Sequence, residues 1–506
     1  MLLAQLADVS ARVAATSSRT AKRDLLAGAL AQAPADELAI AVSYLSGTLR
    51  QRRTNVGWAS LRTPVPPAEA ATLTLTEVDA RLETVAAQAG AGSAARRTEL
   101  VTDLLGRATE AEQHLLRGLL FGEIRQGALD SLVQDALAAA FGVPLPVVRR
   151  AAMLLGFTSA AAEVLVAGGQ QALAQVRLRV GQPVRPMLAA SSPDVDGALS
   201  KAGVPVLVDA KLDGIRVQVH RSGDDVLVFT RSLDDITPRV PEIVAAVRAL
   251  PLRDVVLDGE AIGLDGAGRP LPFQVTASRA ATAVPGEPGA PPADSTPTGS
   301  AGFDAGGVRG SARRPVPLSL FCFDLLHLDG EDLLDRPLSE RARTMSDRLP
   351  AELLVPRMLA ASAQDVSNFF ADTLSRGFEG VVVKKLGAPY AAGRRDSGWI
   401  KLKPRHTFDL AVTAAEWGYG RRTGYLSNLH LAARDPVTGG LVMLGKTFKG
   451  LTDQMLAWQT EEIQARSSRR TRSVVYADPP LVAEIACDGL QVSTRYPGGV
   501  ALRFAR

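Results

Sequence analysis

The chain has very little cysteine, and this scarcity excludes several kinds of protein. Only Cys322 and Cys487 occur among its 506 residues. Two cysteines can form neither the disulfide framework of a small secreted domain nor a four-cysteine zinc site. Scarce cysteine is typical of a reducing compartment, and the Ala-, Gly-, Arg- and Pro-rich composition is typical of high-GC bacteria. We therefore expect a cytoplasmic bacterial protein.

Long apolar runs are missing as well. No stretch of about 18 apolar residues occurs, so we expect no segment that spans a membrane. The opening segment MLLAQLADVS has no basic residue before its apolar run, which Asp8 interrupts, so no secretory signal is expected. Neither sign of charge dominates, because 57 Lys and Arg residues against 53 Asp and Glu residues leave a net charge of +4. This small basic excess would suit an anionic partner but does not identify one.

Length and periodicity predict several domains, of which the first is helical. A chain of 506 residues is too long for one hydrophobic core. Residues 1–178 are rich in Ala and Leu, and apolar residues recur every three or four positions from Val101 to Leu119, which predicts one amphipathic helix. A second helix is predicted from Asp130 to Phe141, with Gly142 as its stop signal. The proline-rich segment 64–71 predicts a loop.

This all-α domain could be an interaction scaffold or could hold a phosphate backbone. Four basic residues could serve the second use, although scattered basic residues usually form only a solvated surface. They are Lys22, Arg52, Arg53 and Arg125.

The character of the sequence changes near Arg179, where prolines and β-branched residues replace the helical period. We therefore expect a domain boundary there and an α+β domain over 179–405. Within it, residues 279–315 are rich in Gly, Ala, Pro, Ser and Thr, which predicts a disordered surface insertion. Residues 406–506 predict an all-β domain with the form of a small barrel. Its predicted strands are 410–412, 428–432, 441–446 and a segment that starts at 474.

The segment VLVDAKLDGIRVQVH, residues 206–220, contains the first candidate for chemistry. Its apolar pattern predicts two strands joined by a hairpin turn at Asp213-Gly214. Lys211 would then lie at the edge of a sheet, close to Arg216. A lysine is a nucleophile only when it is uncharged, and a neighbouring cation favours the uncharged amine. On this segment alone, a surface lysine beside an ordinary turn is an equally good interpretation.

Charged and aromatic residues recur at predicted strands further along the chain. Singly, each has a plain explanation as a solvated turn residue, a core aromatic or a charge that guards a sheet edge. Together they supply cations for phosphates, carboxylates for a metal or a ribose hydroxyl, and an aromatic ring for a base. These residues are Arg231, Glu260, Phe323, Glu379, Lys401 and Lys403.

These segments resemble the motifs of the covalent nucleotidyltransferases. Lys211-Leu212-Asp213-Gly214-Ile215-Arg216 resembles motif I, KxDGxR. TRSLDDIT, DGEAI, FDLLHLDG, EGVVVK and WIKLKP resemble motifs Ia, III, IIIa, IV and V in the same order. The segments PFQVTASR and RPLSER, the RPMLA entry and the helical N-terminal domain resemble ATP-dependent DNA ligases more closely than the RNA-modifying members of the superfamily.

The resemblance implies a role for each of these residues. Lys211 would attack the α-phosphate of ATP and carry AMP as a phosphoramidate, before AMP passes to the 5′-phosphate of a nick and the 3′-hydroxyl displaces it. Glu260 and Glu379 would hold Mg²⁺ or Mn²⁺. The residues that would bind ATP or AMP are Asp209, Arg216, Arg231, Glu260, Phe323, Lys401 and Lys403.

The resemblance also implies the partner and the domain plan. Nicked double-stranded DNA would be held through its backbone by a monomer that closes around the duplex, in a nucleoid-associated setting. The helical domain, with Arg52, Arg53 and Arg125, would bind DNA, and residues 406–506 would form an OB-fold. Family members end this fold with motif VI, Arg-x-Asp-Lys, whereas this sequence stops at Arg503-Phe504-Ala505-Arg506. Either the sequence is a truncated form, which we favour, or the protein is weakened in the first step. The corresponding hypothesis is that self-adenylation is impaired while sealing of a pre-adenylated nick survives.

Two alternatives remain open from the sequence. One is an RNA-modifying nucleotidyltransferase, either an RNA ligase or a capping guanylyltransferase, which the long helical domain disfavours. The other is a catalytically weakened DNA-binding homologue. The sequence does not indicate whether replication, repair or end joining is the pathway served.

Overall fold

The computed structural model describes residues 1–57, 61, 64–124, 126–127, 130–281, 316–391, 398–419 and 422–506. The described residues divide into two compact units that separate between Lys401 and Leu402, hereafter the N-terminal and the C-terminal unit. The predicted helical domain and most of the predicted α+β domain lie together in the N-terminal unit. The predicted insertion 279–315 lies outside the described residues except for 279–281, which are helical.

The N-terminal unit begins with α-helices around one apolar core. The helix α3 (Leu38–Leu45) is buried along its whole length, and apolar residues of the other helices belong to the same buried cluster. The helices are α1 (Leu3–Ala15), α2 (Arg19–Gln32), α3 (Leu38–Leu45), α4 (Leu75–Ala86), α5 (Ser93–Gly106), α6 (Glu110–Phe121), α7 (Asp130–Phe141), α8 (Leu145–Leu154) and α9 (Thr158–Ala174). The predicted helix from Asp130 to Phe141 is confirmed, and Gly142 follows it with φ +65°.

The single helix predicted through Val101–Leu119 is wrong, because two helices share that apolar period. The helix α5 ends at Gly106, and α6 starts after Thr109. Thr109 and Glu112 form a capping box, in which the Thr109 backbone N–H donates to Glu112 Oε2 at 2.8 Å. A cap of this kind satisfies the free N–H groups of a new helix, so Thr109-x-x-Glu112 was the sequence signal for the break.

Two sheets form the rest of the N-terminal unit. Sheet 1 has the order β1-β10-β9-β2-β8, and sheet 2 has the order β4-β3-β5-β6-β7. The strands of sheet 1 are β1 (Ala190–Ser191), β2 (Val206–Lys211), β8 (Arg357–Ala360), β9 (Gly380–Lys385) and β10 (Trp399–Leu402). The strands of sheet 2 are β3 (Ile215–Ser222), β4 (Asp225–Thr230), β5 (Asp254–Gly263), β6 (Leu318–Leu328) and β7 (Glu331–Asp332). The associated helices are α10 (Val195–Ala202), α11 (Pro241–Arg248), α12 (Phe273–Ala281), α13 (Leu338–Arg348) and α14 (Ala363–Ser375).

The hairpin predicted at Asp213-Gly214 is wrong, because its two strands belong to different sheets. The strand β2 pairs with β8 and β9, whereas β3 pairs with β4 and β5. Gly214 is required here for close approach to β5. A Cβ at this position would lie 2.2 Å from Ile262 Cγ2 and 2.4 Å from the Ala261 carbonyl oxygen. The Lys211–Arg216 segment is therefore the crossing from sheet 1 to sheet 2.

The helical region packs against the two sheets through a shared apolar cluster. This cluster joins Met153 and Leu154 of α8 to Val256 of β5, Leu326 of β6 and Trp399 of β10. Among the described residues, no single helix has the length and apolarity to cross a membrane; α8 and α9 reach both only as a pair bent by 116°.

The C-terminal unit contains the strands predicted from the sequence and one additional helix. Its elements are β11 (His406–Trp417), β12 (Leu426–Arg434), β13 (Leu441–Thr447), α15 (Asp453–Ala465), β14 (Ser467–Arg470), β15 (Val474–Cys487), β16 (Gly489–Val492) and β17 (Val500–Arg503). Within the described residues, β13-β12-β11-β15-β14 is an open antiparallel sheet, and β16 and β17 form a separate hairpin. The expected class of a helical, an α+β and a β-rich OB-like part is confirmed, although the strands do not close into a barrel.

Candidate active site

Lys211, the predicted nucleophile, lies at the end of β2 next to a carboxylate. Its Nζ is 2.5 Å from Glu379 Oε2, and the two side chains are 24% and 12% exposed. Strand pairing fixes this contact, because Lys211 pairs with Gly380 and the Glu379 backbone N–H donates to the Lys211 carbonyl at 3.0 Å. The sequence had suggested a cation as the nearest charge to Lys211. In the structure the charged group in contact with Lys211 is instead the carboxylate of Glu379.

Arg216, the last residue of the KLDGIR segment, is held by a buried carboxylate. Its Nε and Nη2 donate to Asp258 at 3.0 and 2.6 Å, and its Nη1 donates to the Met187 carbonyl at 2.6 Å. Tyr390 donates its hydroxyl hydrogen to the same Asp258 at 2.7 Å. The bidentate pair fixes the plane of the guanidinium. Sequence reasoning missed Asp258 and Tyr390; the only signal was a charged residue within the apolar strand β5.

Glu260 lies two residues after Asp258, opposite Arg216 in the pairing of β3 with β5. Burial raises the pKa of Glu260 to about 7, and the nearby charges of Lys211 and Arg216 act in the opposite direction. The backbone N–H of Gly214 also hydrogen-bonds to this carboxylate. Glu260 is therefore a carboxyl group that changes charge near neutral pH and is close to both cations of the crossing segment.

Replacing Glu260 by glutamine is expected to remove a pH-dependent loss of unfolding free energy. The pKa of about 7 exceeds the ordinary value of 4.5, so between these values the folded state keeps a proton that the unfolded chain releases. Stability therefore falls as the pH rises through this window. The unfolding free energy of Glu260→Gln, relative to that of wild type, should rise by on the order of 1–2 kcal/mol as the pH increases from about 5 to about 8. Urea unfolding of the N-terminal unit at both values, without nucleotide or divalent metal, measures the change.

The control for this experiment is Asp234→Asn. Burial raises the pKa of Asp234, but its hydrogen bond to Ser232 and its pairing with Arg52 and Arg53 outweigh burial and keep it below the usual range. Asp234 is therefore ionised in both the folded and the unfolded state across the same pH window. The difference in unfolding free energy between Asp234→Asn and wild type should stay constant. A difference between wild type and Glu260→Gln that is equal at both pH values would contradict the prediction.

Asp209 lies two residues before Lys211, on the same face of β2, and is 2% exposed. Its Oδ2 accepts from Lys384 Nζ at 2.6 Å and from Arg357 Nη2 at 3.1 Å. The same two cations donate to the Phe323 carbonyl at 3.0 and 3.1 Å. Asp209, on sheet 1, is thereby tied to the backbone of β6 on sheet 2.

The ring of Phe323 lies among these charged groups. Lys384 Nζ is 4.8 Å and Arg216 Cζ is 5.3 Å from its centroid, and the Trp399 ring packs edge-on against it at 5.7 Å. The ring also packs in a cluster of apolar residues. They are Ala210, Leu212, Ile262, Val355, Phe321 and Phe378. The structure therefore brings six of the sequence-predicted residues together where the two sheets meet: Asp209, Lys211, Arg216, Glu260, Phe323 and Glu379.

Three further predicted residues are not among the six where the two sheets meet. Arg231 is exposed directly after β4. Lys401 is half-buried in β10, next to Ser191 of β1 in register. The strand β10 ends at Leu402, so Lys403 lies directly after it. Lys403 belongs to the C-terminal unit, where its Nζ is 3.3 Å from Asp488 Oδ2.

The candidates for phosphate contact differ in their surroundings. Arg52 and Arg53 both pair with Asp234, at 2.9 and 2.8 Å, and Arg52 also donates to the Ser232 carbonyl at 2.6 Å. These residues line a cavity of about 710 Å³. Lys22 is not available for such a contact, because it is buried and its Nζ donates to the Gln126 carbonyl at 2.7 Å. Arg125 lies outside the described residues.

The sequence matches three protein-family models in chain order. The DNA ligase N terminus matches residues 59–138, the ATP dependent DNA ligase domain matches residues 186–403, and the ATP dependent DNA ligase C terminal region matches residues 422–506. The middle match includes all the residues assembled at the junction of the two sheets.

Similar proteins and structures point the same way. A protein of Nocardioides sp. named probable DNA ligase is 53% identical over 512 residues, which cover 100% of this chain and 94% of that protein. Another, from Kineococcus radiotolerans, is 52% identical over 509 residues, covering 100% and 95%. A solved structure named Pmar-Lig_PreS3 shares the fold, with a TM-score of 0.63 over 99% of this chain and 98% of that one at 16% identity. The chain belongs to the family of ATP-dependent DNA ligases.

Proposed function

We propose that this protein seals nicks with 3′-hydroxyl and 5′-phosphate ends in duplex DNA, using ATP and a covalent lysyl-AMP at Lys211. The observation that carries the proposal is the position of Lys211. It lies at the end of β2 with Glu379 at 2.5 Å, where the chain crosses to the sheet that bears Arg216, Glu260 and Phe323. A nucleophile, two carboxylates, a fixed cation and an aromatic ring are the groups that adenylyl transfer needs.

The reaction begins when the uncharged Lys211 amine attacks the α-phosphorus of ATP. An N–P bond forms, the bond from the α-phosphorus to the bridging oxygen breaks, and pyrophosphate leaves while the amine loses a proton. The 5′-phosphate of the nick then attacks the same phosphorus through one of its oxygens, the N–P bond breaks, and Lys211 takes up a proton and leaves as the amine. In the last step the 3′-hydroxyl attacks the 5′-phosphorus, loses its proton and displaces AMP.

The surrounding residues bind and orient the nucleotide. Asp209 presents a buried Oδ1 with no hydrogen-bond partner among the described residues, which suits an amino group of the base. Phe323 provides the stacking surface, and Glu260 accepts from a ribose hydroxyl. Arg216 holds phosphate oxygens and is preorganised by Asp258, so that its orientation is set before the substrate binds. Arg231, Lys401 and Lys403 supply further positive charge to the phosphates.

Glu260 and Glu379 are suited to share a divalent metal with the ATP phosphates. Both offer carboxylate oxygens, which Mg²⁺ and Mn²⁺ prefer. The described residues contain no group of three or more His, Cys, Asp or Glu side chains able to hold a metal alone. A metal held by one or two carboxylates plus substrate phosphates fits this donor set. When bound, such an ion would offset phosphate charge, and Glu379 would be one of the residues that hold it.

Nicked duplex DNA is the proposed partner, held by a monomer. Arg52 and Arg53 contact its phosphates after exchanging Asp234 for them, since a phosphate offers the same bidentate geometry to a guanidinium as a carboxylate does. Contacts of this kind carry no sequence information, as sealing at any sequence requires. Binding therefore weakens steeply with rising salt concentration.

The proposal is tested by supplying purified protein with a singly nicked, end-labelled duplex, a divalent metal and one nucleotide at a time. ATP should give a sealed strand, and GTP and NAD should not. A matched substrate with a nicked RNA strand discriminates against an RNA-modifying enzyme. Sealing of RNA in preference to DNA, or DNA binding without sealing of either an ordinary or a pre-adenylated nick, would overturn it.

A further inference from the structure

We propose that Arg357 reads the edge of the adenine base together with Asp209, and so makes the site selective for ATP over GTP. This assignment rests on the function proposed above and names a specificity residue within it. Arg357 belongs to none of the motif segments recognised in the sequence, and it opens the short strand β8 at the edge of sheet 1.

Strand pairing places Arg357 beside Asp209. The two residues are direct partners in the antiparallel register of β2 and β8. The Nη2 of Arg357 lies 3.1 Å from Asp209 Oδ2 and 3.1 Å from the Phe323 carbonyl oxygen. The side chain of Arg357 is 13% exposed. The guanidinium is therefore fixed at one end, next to the backbone of the residue whose ring is proposed to stack on the base.

Asp209 and Arg357 carry three polar atoms that have no hydrogen-bond partner among the described residues. They are the Nε and Nη1 of Arg357 and the Oδ1 of Asp209, all of them buried. Buried polar groups are nearly always paired, because an unpaired one has lost water without compensation. An acceptor and two donors left open beside a base-stacking ring indicate a ligand that carries the complementary donor and acceptor.

Adenine has the complementary pattern. Its exocyclic amino group is a donor, and it lies beside a ring nitrogen that is an acceptor, N7 on one side and N1 on the other. The amino group pairs with Asp209 Oδ1, and the ring nitrogen accepts from Arg357. Guanine places an oxygen where adenine has the amino group, so two acceptors would face each other and the buried carboxylate would remain unpaired. Sites built on such pairing reject the wrong partner strongly.

Lys384 is not suited to contact the base edge in the same way. Its Nζ already contacts Asp209 Oδ2 and the Phe323 carbonyl oxygen, and it lies over the rings of Phe323 and Trp399, 4.8 and 4.2 Å from their centroids. Lys384 therefore holds Asp209 in place, whereas Arg357 is the cation beside Asp209 with open donors.

The test compares Arg357→Met with wild type in single-turnover formation of the protein–AMP adduct. The nucleotides are ATP, GTP, 7-deaza-ATP, which lacks N7, and 1-deaza-ATP, which lacks N1. With ATP the variant should react roughly 10- to 100-fold more slowly. With the analogue that lacks the ring nitrogen to which Arg357 donates, the variant and wild type should form the adduct at rates within about threefold of each other. The variant should therefore have no preference for ATP over that analogue. Discrimination against GTP should fall as well.

Arg279→Met is the matched control. Arg279 is similarly enclosed at 16% exposure, it pairs with Glu242 at 3.3 Å, and its Nε also lacks a partner among the described residues. It belongs to α12 and not to the nucleotide site, so this variant should keep the ratios of wild type among the four nucleotides. If Arg357→Met fails to fold, Arg357→Lys keeps the charge but loses the fork of donors, and the same ratios are measured on it.

Different outcomes would overturn the role of Arg357 and the proposed ligase function. Equal slowing of Arg357→Met with ATP and with both deaza analogues would mean a merely structural role and would overturn the assignment. If wild type forms no adduct with any nucleotide, the proposed function fails, and the assignment fails with it.

Discussion

Replacing Lys211 by alanine is expected to abolish both the covalent AMP adduct and nick sealing with ATP. In the proposed reaction the Lys211 amine takes up AMP, and the carboxylate that contacts it, Glu379 at 2.5 Å, cannot form the same phosphoramidate. The rate of sealing should fall by at least about 1,000-fold. Incubation with α-labelled ATP and Mg²⁺, followed by mapping of the labelled peptide, measures the adduct directly. Wild type should carry the label at position 211.

The same variant should still seal a nick that already carries AMP on its 5′-phosphate. That step forms the phosphodiester bond without a bond to lysine, so Lys211→Ala should slow it far less than sealing with ATP. Because Lys211→Ala removes the ion pair of Glu379, whose side chain is 12% exposed, urea unfolding of the variant is measured alongside to show that it is folded. Lys385→Ala, which removes an exposed lysine from β9, is the control and should behave as wild type. An adduct on Lys211→Ala, or equal sealing by it with ATP, would refute the role of Lys211.

Local patterns in the sequence predicted the elements well where one physical requirement acted alone. The helix from Asp130 to Phe141 has one apolar face and one stop signal, and the structure has it with those bounds. Over Val101–Leu119 two helices have apolar faces in the same phase, so periodicity alone merged them. Only the cap at Thr109 separates them. At Gly214, a glycine needed for close approach to β5 was taken as a turn glycine.

The candidate site was predictable as far as its residues lie in short motifs. Lys211, Arg216, Glu260, Phe323 and Glu379 were all named from such segments. The contacting residues outside these motifs were not named, because contacts between distant segments leave no local pattern. Asp209 meets Arg357 across 148 positions, and Tyr390 meets Asp258 across 132. The pKa of Glu260 also depends on burial that only the folded chain creates.

A second large effect is expected at the fully buried ion pair next to the site. Arg341 of α13 donates to both oxygens of Asp324, at 2.8 and 2.9 Å, and both side chains are 0% exposed. Burial raises the pKa of Asp324, but Arg341 outweighs burial and keeps it below the usual range. The stabilisation is therefore complete at neutral pH and is lost only as the pH falls through that lowered value. Arg341→Met leaves Asp324 charged and buried, so the N-terminal unit should lose about 3–5 kcal/mol of unfolding free energy.

Urea unfolding at neutral pH, followed by a probe in the N-terminal unit, measures this loss. Arg150→Met is the matched control, because its pair with Asp335 has side chains that are 34% and 60% exposed, and its removal should cost less than about 1 kcal/mol. The double variant Asp324→Leu/Arg341→Met should recover much of the loss, since an apolar pair replaces a buried charge that no longer has a partner.

Because Asp324 follows Phe323 directly, the single variant should also weaken ATP binding, and the double variant should restore it in part. A cost for Arg341→Met as small as that for Arg150→Met would show that Asp324 finds another partner or water, and that the pair does not hold Phe323 in position.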